Sequence, residues 1–317
     1  MLRKKLLKRF ISDTKLGVSP IDDLKYWERV FKIFPGTEEK LTRFILELGE
    51  DPDGWINRFE LLKGRIINEI KDNQAYKNFI ASDMSSWSIE NLGISSKSIY
   101  EISDKTDTSQ DTYLSIDLKS ANFQAIKEVG VYSDYSWSDF ISKYTDSEHI
   151  KESKYFRSVI YGNLNVSRIQ TVEKYLTNTV RKFLDTAGLL PSNYGLITMM
   201  PDELVYKVSG VFRPGFNTRS LEAAVEKETG VSTKIEHFSL RHQYLYSDTN
   251  PDRKIRFYSR ENLENGEKEL AGIGVPYAMV GNVLWKGMET CKYDYMFLNQ
   301  EGYLCEIKEE LKIKEGL

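Results

Sequence analysis

Two adjacent acids, Asp202 and Glu203, lie between two apolar stretches in the second half of the 317-residue chain. Residues 196–200 and 204–208 are apolar and partly β-branched, a composition that predicts two strands. Pro201 directly precedes the acids and favours a tight turn there. The sequence therefore predicts a β-hairpin with two carboxylates at its tip, where they can reach a metal ion or solvent. An ordinary acidic turn is the alternative, and it is the commoner origin of an Asp-Glu pair.

A third acid, Asp117, follows a short predicted strand over residues 113–116. Beyond it, apolar residues recur at helical spacing between 121 and 129, so the acid lies where a strand gives way to a helix. Such an acid and the hairpin pair can converge on Mg²⁺, which often takes one or two carboxylates plus substrate phosphates. This donor set suits two-metal phosphoryl transfer, in which one ion activates the attacking oxygen and the other stabilises the leaving group.

Three cations follow Asp117 in a helix predicted from residue 149 to 160. Lys151, Lys154 and Arg157 recur every third residue, which predicts that they share one helix face. Such a face can bind a triphosphate, because Arg and Lys side chains neutralise phosphate oxygens. A solvated charged face is the alternative, and the pattern alone does not separate the two.

These residues resemble the motifs of palm-domain polymerases. Asp117 with its flanks resembles their first carboxylate motif, and residues 200–208 are similar to the last carboxylate motif of family A DNA polymerases, His-Asp-Glu-Leu-Val-Phe-Glu. Between them, Lys154, Arg157 and Tyr161, which Gly162 follows, resemble a reduced fingers-helix motif. The order of the motifs is that of the family, and the resemblance covers residues 113–208, roughly a third of the chain.

The sequence also departs from that family. Pro201 stands in place of the motif's His, and Lys154 lies seven positions before Tyr161, one fewer than usual. The interval between Asp117 and Asp202 is short for family A and nearer that of reverse transcriptases, yet the chain has no Tyr-x-Asp-Asp box. The resemblance is therefore to a divergent palm nucleotidyltransferase.

The resemblance implies a DNA or RNA polymerase-like enzyme that adds nucleotides to a 3′-hydroxyl. Asp117 and Asp202 would hold Mg²⁺ or Mn²⁺, and Glu203 would be an accessory catalytic acid. Lys154 and Arg157 would bind the triphosphate of the substrate, and Tyr161 would belong to the same nucleotide site. The implied partners are nucleic acid as primer or template, nucleoside triphosphates, and a larger replication or transcription assembly.

One position bears on the choice between ribose and deoxyribose. In palm polymerases the residue five after the first Asp lies under the sugar and excludes its 2′-hydroxyl when it is bulky. That residue is Asn122 here, which is smaller than the Glu or aromatic residue common in DNA-making enzymes. Ribonucleotides are then expected to be admitted. If the register is shifted by one residue, Phe123 becomes the gate and the expectation reverses.

The chain as a whole predicts an α+β fold with a palm-like antiparallel sheet. Helical patterns between residues 20 and 80 predict an N-terminal helical module over 1–82, whose apolar stripes form core. A nucleotidyltransferase core is predicted over 83–210 and a mixed α/β extension over 211–317. Residues 82–112 are rich in Ser, Asp and Thr, and the last of them, residues 103–111, predict a loop that leads into the strand before Asp117. Asp83, early in this region, is predicted to be a cap or turn residue.

Composition excludes few functions. The formal net charge is −3. A net negative charge is not typical of a nucleic-acid-binding protein, but it is compatible with a local basic groove. Two cysteines and no membrane-length apolar run predict a soluble cytoplasmic protein in a reducing compartment, without membrane contact. The basic amphipathic start, residues 1–11, predicts a solvated basic helix face in preference to a membrane anchor.

Two rival functions stay open. Asp294, followed by Glu306 and Lys308, resembles the metal site of PD-(D/E)xK nucleases, in which the acids bind Mg²⁺ and the lysine assists water. An ordinary antiparallel hairpin explains the same residues. A palm-derived nucleic-acid-binding protein without catalytic activity is the third possibility.

Overall fold

The computed structural model describes residues 4–16, 18–34, 36–102, 111–210, 216–247, 254–266, 268–272, 296–298, 304–306 and 311–313. The helices in the N-terminal part are α1 (Lys4–Thr14), α2 (Leu24–Ile33), α3 (Thr37–Leu48), α4 (Pro52–Asp72), α5 (Gln74–Ala81) and α6 (Ile99–Ile102). The later helices are α7 (Ala121–Glu128), α8 (Trp137–Ser142), α9 (Glu148–Glu152), α10 (Lys154–Gly162), α11 (Val166–Ala187) and α12 (Thr218–Thr229). The strands are β1 (Asp111–Leu118), β2 (Tyr194–Met199), β3 (Glu203–Val208), β4 (Thr233–Ser247), β5 (Lys254–Asn262), β6 (Lys268–Gly272), β7 (Met296–Leu298), β8 (Leu304–Glu306) and β9 (Leu311–Ile313).

The N-terminal helices are held together by aromatic side chains. Phe10 of α1 contacts Trp27 of α2 and Phe44 of α3, with ring centroids 6.2 and 5.6 Å apart. Phe59 of α4 packs edge-on against Phe156 of α10, with centroids 4.7 Å apart. These side chains are fully buried, so the apolar stripes are core, as predicted. The N-terminal module therefore forms the support on which α10 rests.

A buried polar contact ties the same module to α9. His149 Nε2 and Asp13 Oδ2 are 2.9 Å apart, and both side chains are almost completely enclosed. Arg9 also donates to this oxygen, at 2.9 Å, and its guanidinium lies 3.4 Å from the centroid of the Phe59 ring. The apolar face of α1 is buried in the core, while Lys4 and Lys5 are exposed, as expected for a helix with one solvated basic face.

The main sheet has the order β2-β3-β1-β4-β5-β6, and β9 pairs with the far end of β4. Every pair in it is antiparallel. Helices connect β1 to β2 and β3 to β4, which is the β-α-β-β-α-β arrangement of ferredoxin-like sheets. The α+β class with a helical N-terminal module and an antiparallel sheet is therefore confirmed. None of the helices in the described ranges combines the length and the apolar character needed to cross a bilayer.

The two faces of the sheet have different coverings. Leu114, Ile116 and Leu118 point to the face covered by α7, α11 and α12, and share one continuous core with the N-terminal module. Tyr113 and Phe238 belong to a second, smaller core on the opposite face, where α6 packs. Because side chains alternate along a strand, Asp117 belongs to this second face, beyond the part that α6 covers.

The C-terminal strands continue the central sheet. β4 pairs with β1 along the whole length of β1. The predicted domain boundary at residue 210 therefore falls between two strands that lie side by side in one sheet. β4 is one continuous strand of 15 residues. Ile99–Ile102 forms a short helix whose apolar residues cover the second core. The loop predicted over 103–111 lies almost entirely outside the described residues.

The helix predicted from 149 to 160 is instead two helices. Ser153 ends α9 and caps α10, since its hydroxyl accepts a hydrogen bond from the Phe156 N–H at 3.0 Å. Lys151 is thereby placed on the earlier helix, where its ammonium pairs with Glu148 at 2.8 Å. The prediction that Lys151, Lys154 and Arg157 share one helix face is wrong for this reason.

The burial of Phe59 in the aromatic core of the N-terminal module leads to a prediction about the stability of the protein. Phe59→Ala should lower the free energy of unfolding by about 3–5 kcal/mol, because it leaves a cavity where Phe156 and Arg9 now pack. Leu61→Ala, two positions along the same helix, removes a side chain that is 74% exposed and should change stability by less than about 0.5 kcal/mol. Thermal and denaturant unfolding of both variants would measure the difference. Equal effects would contradict the packing described.

Candidate active site

The pairing of β1 with β3 brings the predicted acids to one end of the sheet. Asp117 lies directly opposite Glu203 in the ladder, and the Leu118 N–H donates to the Asp202 carbonyl at 2.8 Å. The turn itself is closed by the Met200 N–H, which donates to the Glu203 carbonyl at 2.8 Å. The predicted hairpin is confirmed, and its tip lies beside the end of β1.

The charges at this end of the sheet repel one another. Burial, together with the nearby carboxylates of Glu203 and Asp202, raises the pKa of Asp117 from 3.8 to about 7. Lys234 and Lys154 act in the opposite direction. At Asp117 the effect of the two carboxylates therefore exceeds that of the two lysines, and a buried carboxyl with a raised pKa is typical of functional sites.

Glu203 is held on the open face of the sheet by a neighbouring strand. The Ser115 hydroxyl donates to Glu203 Oε1 at 2.5 Å. Burial raises the pKa of Glu203, while this hydrogen bond and the charge of Arg260 lower it. One oxygen of Glu203 is thus occupied, which fits the accessory place predicted for it beside the two aspartates.

The next strand contributes cations that the sequence did not single out. Lys234 on β4 lies opposite Asp117 on the side away from Glu203, and its exposed ammonium pairs with Glu236. Arg260 of β5 lies 3.5 Å from the same Glu236 carboxylate. Only the pairing of β4 with β1 places Lys234 here, since the two residues are more than a hundred positions apart in the chain.

Two of the predicted phosphate-binding cations face Asp117 from α10. Lys154 is exposed, and its charge lowers the pKa of Asp117. Arg157 is half-buried, and burial lowers the pKa of its guanidinium while Asp117 acts against that shift. Neither cation forms a salt bridge within 4.0 Å among the described residues. Both can therefore be directed toward an anionic ligand.

Tyr161, on the same helix, is buried. Its side chain is 2% exposed, with its ring 6.1 Å from that of Trp137, and burial raises its pKa well above the usual value. It lies on the face of α10 that packs into the core. The phenol is nevertheless near enough to Arg157 for each group to influence the pKa of the other, and a contact between Tyr161 and a nucleotide stays a prediction.

Asn122 and Phe123, the two candidates for the residue under the sugar, lie on different sides of α7. Phe123 is 1% exposed and stacks on Tyr132 with ring centroids 5.3 Å apart. Asn122 is only half-buried, and its side-chain amide donates to Oε1 of Glu173. Asn122 is thus the residue of the two that can face a ligand.

Glu173 on α11 is a residue that sequence reasoning missed. It is 4% exposed, and burial together with the charge of Asp202 raises its pKa to about 7. One turn later on α11, the Thr177 hydroxyl donates to the Pro201 carbonyl at 2.7 Å. The signal was present, because Glu173 is an acid in the apolar stripe formed by Ile169, Val172, Leu176, Val180 and Leu184.

The carboxylates of the site would bind a divalent cation together with further ligands, such as substrate phosphates and water. No group of three or more His, Cys, Asp or Glu side chains within the described part of the chain is placed to hold a metal ion. Mg²⁺ does not need such a group, because it keeps several waters and takes substrate phosphates beside one or two carboxylates. A half-buried Asp117 with its pKa raised by neighbouring carboxylates is a donor that a cation would stabilise.

The residues of the rival nuclease site are mostly not described. Asp294 and Lys308 lie outside the described residues. Glu306 lies in β8, which pairs with β7 as an antiparallel hairpin, with Glu306 opposite Met296.

Comparison with known proteins adds no relative. The chain matches no protein-family model, no curated protein and no solved structure.

The raised pKa of Asp117 predicts a dependence of stability on pH. A carboxyl with a pKa of about 7 when folded and 3.8 when unfolded binds more protons in the folded state, so its contribution to stability falls as pH rises from about 4 to 7. Asp117→Asn removes this effect. In metal-free buffer the variant should match the wild type near pH 4 and melt at least about 2–4 °C higher at pH 8.

Asp83→Asn provides the control for that experiment. Asp83 is exposed, and hydrogen bonds from Ser85 lower its pKa, as expected for the turn residue that it was predicted to be. This variant should not gain stability with rising pH. If Asp117→Asn behaved in the same way, Asp117 would not be held among like charges.

Proposed function

We propose that the protein is a nucleotidyltransferase that adds nucleotides to the 3′-hydroxyl of a nucleic acid. One observation carries this proposal: antiparallel pairing places Asp117 beside the hairpin tip that bears Asp202, while Lys154 and Arg157 face Asp117 from α10. Carboxylates and cations on opposite sides of one site are what a nucleoside triphosphate and a divalent ion require together. The resemblance to palm polymerases supports the same reading.

Asp117 and Asp202 are the residues that would hold Mg²⁺ or Mn²⁺. The chemistry that the ion supplies when bound is activation of the attacking hydroxyl and neutralisation of charge on the leaving pyrophosphate. Glu203 stays beside this pair as an accessory acid, since Ser115 already occupies one of its oxygens. Two carboxylates suffice here, because the phosphates of the substrate complete the ligand set.

The cations of α10 have a separate task. Lys154 and Arg157 bind the β- and γ-phosphates and compensate the negative charge that the substrate brings toward Asp117. Arg157 is half-buried, so a phosphate that it binds is partly removed from water and the interaction is strengthened. The reaction forms a bond between the 3′-oxygen and the α-phosphorus and breaks the bond to pyrophosphate, which carries away the leaving charge.

The carboxylates provide the first test of this function. Purified protein should extend a labelled primer on a template with Mg²⁺ or Mn²⁺ and nucleoside triphosphates. Asp117→Ala and Asp202→Ala should each reduce extension by at least about 100-fold, because each removes a donor on which transition-state stabilisation depends. Asp83→Ala, which removes an exposed acid outside the site, is the matched control. Circular dichroism would establish that all three variants fold.

Other outcomes of the assay separate the rival functions. Shortening of the labelled strand that depends on Glu306 would favour the nuclease. Tight binding of the duplex without any change in strand length, unaffected by Asp117→Ala, would favour a non-catalytic binding protein. Either outcome would contradict the nucleotidyltransferase proposal.

The two helices that replace the predicted single helix allow a sharper test of the triphosphate site. Lys154→Met should raise the KM for the nucleoside triphosphate by roughly 10-fold to 100-fold, because it removes one charge-assisted contact of about 1.5–3 kcal/mol. Lys151→Met, three residues earlier, removes a cation that is already paired with Glu148 and should leave KM unchanged. Equal effects of the two variants would show that α10 does not bind the phosphates.

A further inference from the structure

A small cavity lies where α10 begins, between this helix and α1, α3 and α9. Its volume is about 100 Å³. One water molecule needs about 10–15 Å³, and pockets for drug-sized ligands begin at roughly 300 Å³, so the cavity suits an inorganic ion. Its inner wall is formed by buried residues and its mouth by more exposed charged ones, which are in that order Asp13 and His149, then Lys40, Arg43, Glu152 and Lys154.

The charges around this cavity favour an anion. Lys40 and Lys154 form no salt bridge within 4.0 Å in the part of the chain that the structure describes. α10 begins at Lys154, and the N-terminal end of a helix dipole also attracts negative charge. Each of the two acids at the cavity is already paired with an arginine. These pairs are Asp13 with Arg9, at 2.9 Å, and Glu152 with Arg43, at 3.1 Å.

The inner wall also holds an acceptor that no described residue uses. Arg9 Nε and His149 Nε2 both lie 2.9 Å from Oδ2 of Asp13. Oδ1 of the same carboxylate is enclosed and has no hydrogen-bond partner among the described residues. The imidazole of His149 is itself fixed by packing, with its centroid 4.4 Å from that of the Phe44 ring. Because a buried acceptor without a donor is unfavourable, Oδ1 favours a ligand that carries a proton.

We propose that this cavity binds inorganic phosphate, with Lys40 and Lys154 neutralising its charged oxygens and Oδ1 of Asp13 accepting a hydrogen bond from its P–OH group. Hydrogen phosphate offers negative oxygens and a donor in one small ion, so it satisfies the lysines and the carboxylate together. Sulfate has the same shape but no proton at neutral pH, and it would bring a lone pair toward Oδ1. The site goes beyond the proposed nucleotidyltransferase function and does not depend on it, although it shares Lys154 with the proposed triphosphate site.

The test is isothermal titration calorimetry of the full-length protein with sodium phosphate, sodium sulfate and methyl phosphate, at pH 8 and constant ionic strength. All three ligands are dianions at this pH, because the second ionisation of a phosphate monoester is then almost complete, and only hydrogen phosphate has a proton to donate. The wild type should bind phosphate at one site, at least about 10-fold more tightly than the other two, as expected when a buried acceptor is left unpaired. Equal affinity for phosphate and sulfate, or no detectable binding of phosphate, would overturn the proposal.

Two lysine variants locate the binding site. Lys40→Met removes an exposed cation of the cavity and should weaken phosphate binding by roughly 10-fold to 100-fold, because one charge-assisted contact is lost. Lys71→Met removes an exposed cation in the last turn of α4, outside the cavity, and should leave the affinity unchanged. Equal affinities of the two variants would contradict the placement of the ion.

A third variant tests the acceptor. Asp13→Asn replaces the carboxylate by an amide that can also donate, so sulfate and phosphate should then bind with similar affinity. If this variant does not fold, because Arg9 and His149 lose their charged partner, the three ligands and the two lysine variants still decide the question. The titration contains neither nucleotide nor nucleic acid, so failure of this proposal and failure of the nucleotidyltransferase proposal are observed separately.

Discussion

The antiparallel register between β1 and β3 is the constraint on which the candidate site depends. It is set by burial, because Leu114, Ile116 and Leu118 of β1 fill the core on the helical face. A slip of one residue would turn Asp117 into that core and expose the apolar set, so the hydrophobic pattern holds the acid on the open face. The hydrogen bond from the Leu118 N–H to the Asp202 carbonyl then keeps the hairpin tip beside it.

The N-terminal helices matter to the site through α10. Phe59 and Phe156 pack together, and the buried contact between Asp13 and His149 fastens the preceding helix α9. These contacts lie in the N-terminal module, yet they decide where Lys154 and Arg157 point. The acids of the site therefore lie on the sheet, and the cations of α10 lie on a helix that packs against the N-terminal helices. The sheet and these helices share one continuous core.

The fold alone does not identify the reaction, because sheets with this strand order support many unrelated functions. The proposed nucleotide chemistry rests on the charged groups at one end of the sheet. Burial and like charges raise the pKa values of both Asp117 and Glu173 to about 7, a disposition that is unfavourable for folding unless a cation or a proton relieves it. Acids that only stabilise the fold are not expected to be buried close to other acids with raised pKa values.

Much of this architecture could be predicted from the sequence alone. Apolar periodicity indicated the N-terminal helices, the β2–β3 hairpin and the strand before Asp117, because each depends on local spacing and turn chemistry. The same local signals placed Asp202 and Glu203 at a turn and Lys154 and Arg157 on a helix. The break at Ser153 was missed, since a serine followed by helix-forming residues reads equally well as helix interior and as a cap.

Only the tertiary structure decided which of these residues meet. Lys234 reaches Asp117 through strand pairing, and Glu173 reaches Asn122 through the packing of α11 on α7. Tyr161 was expected at the site because of its motif, and packing turned it into the core. Local sequence determines the type of an element and the spacing of its side chains, whereas the direction of each face follows from how distant elements bury their apolar surfaces together. Asp117 and the hairpin acids were therefore predictable as candidates, and their neighbours were not.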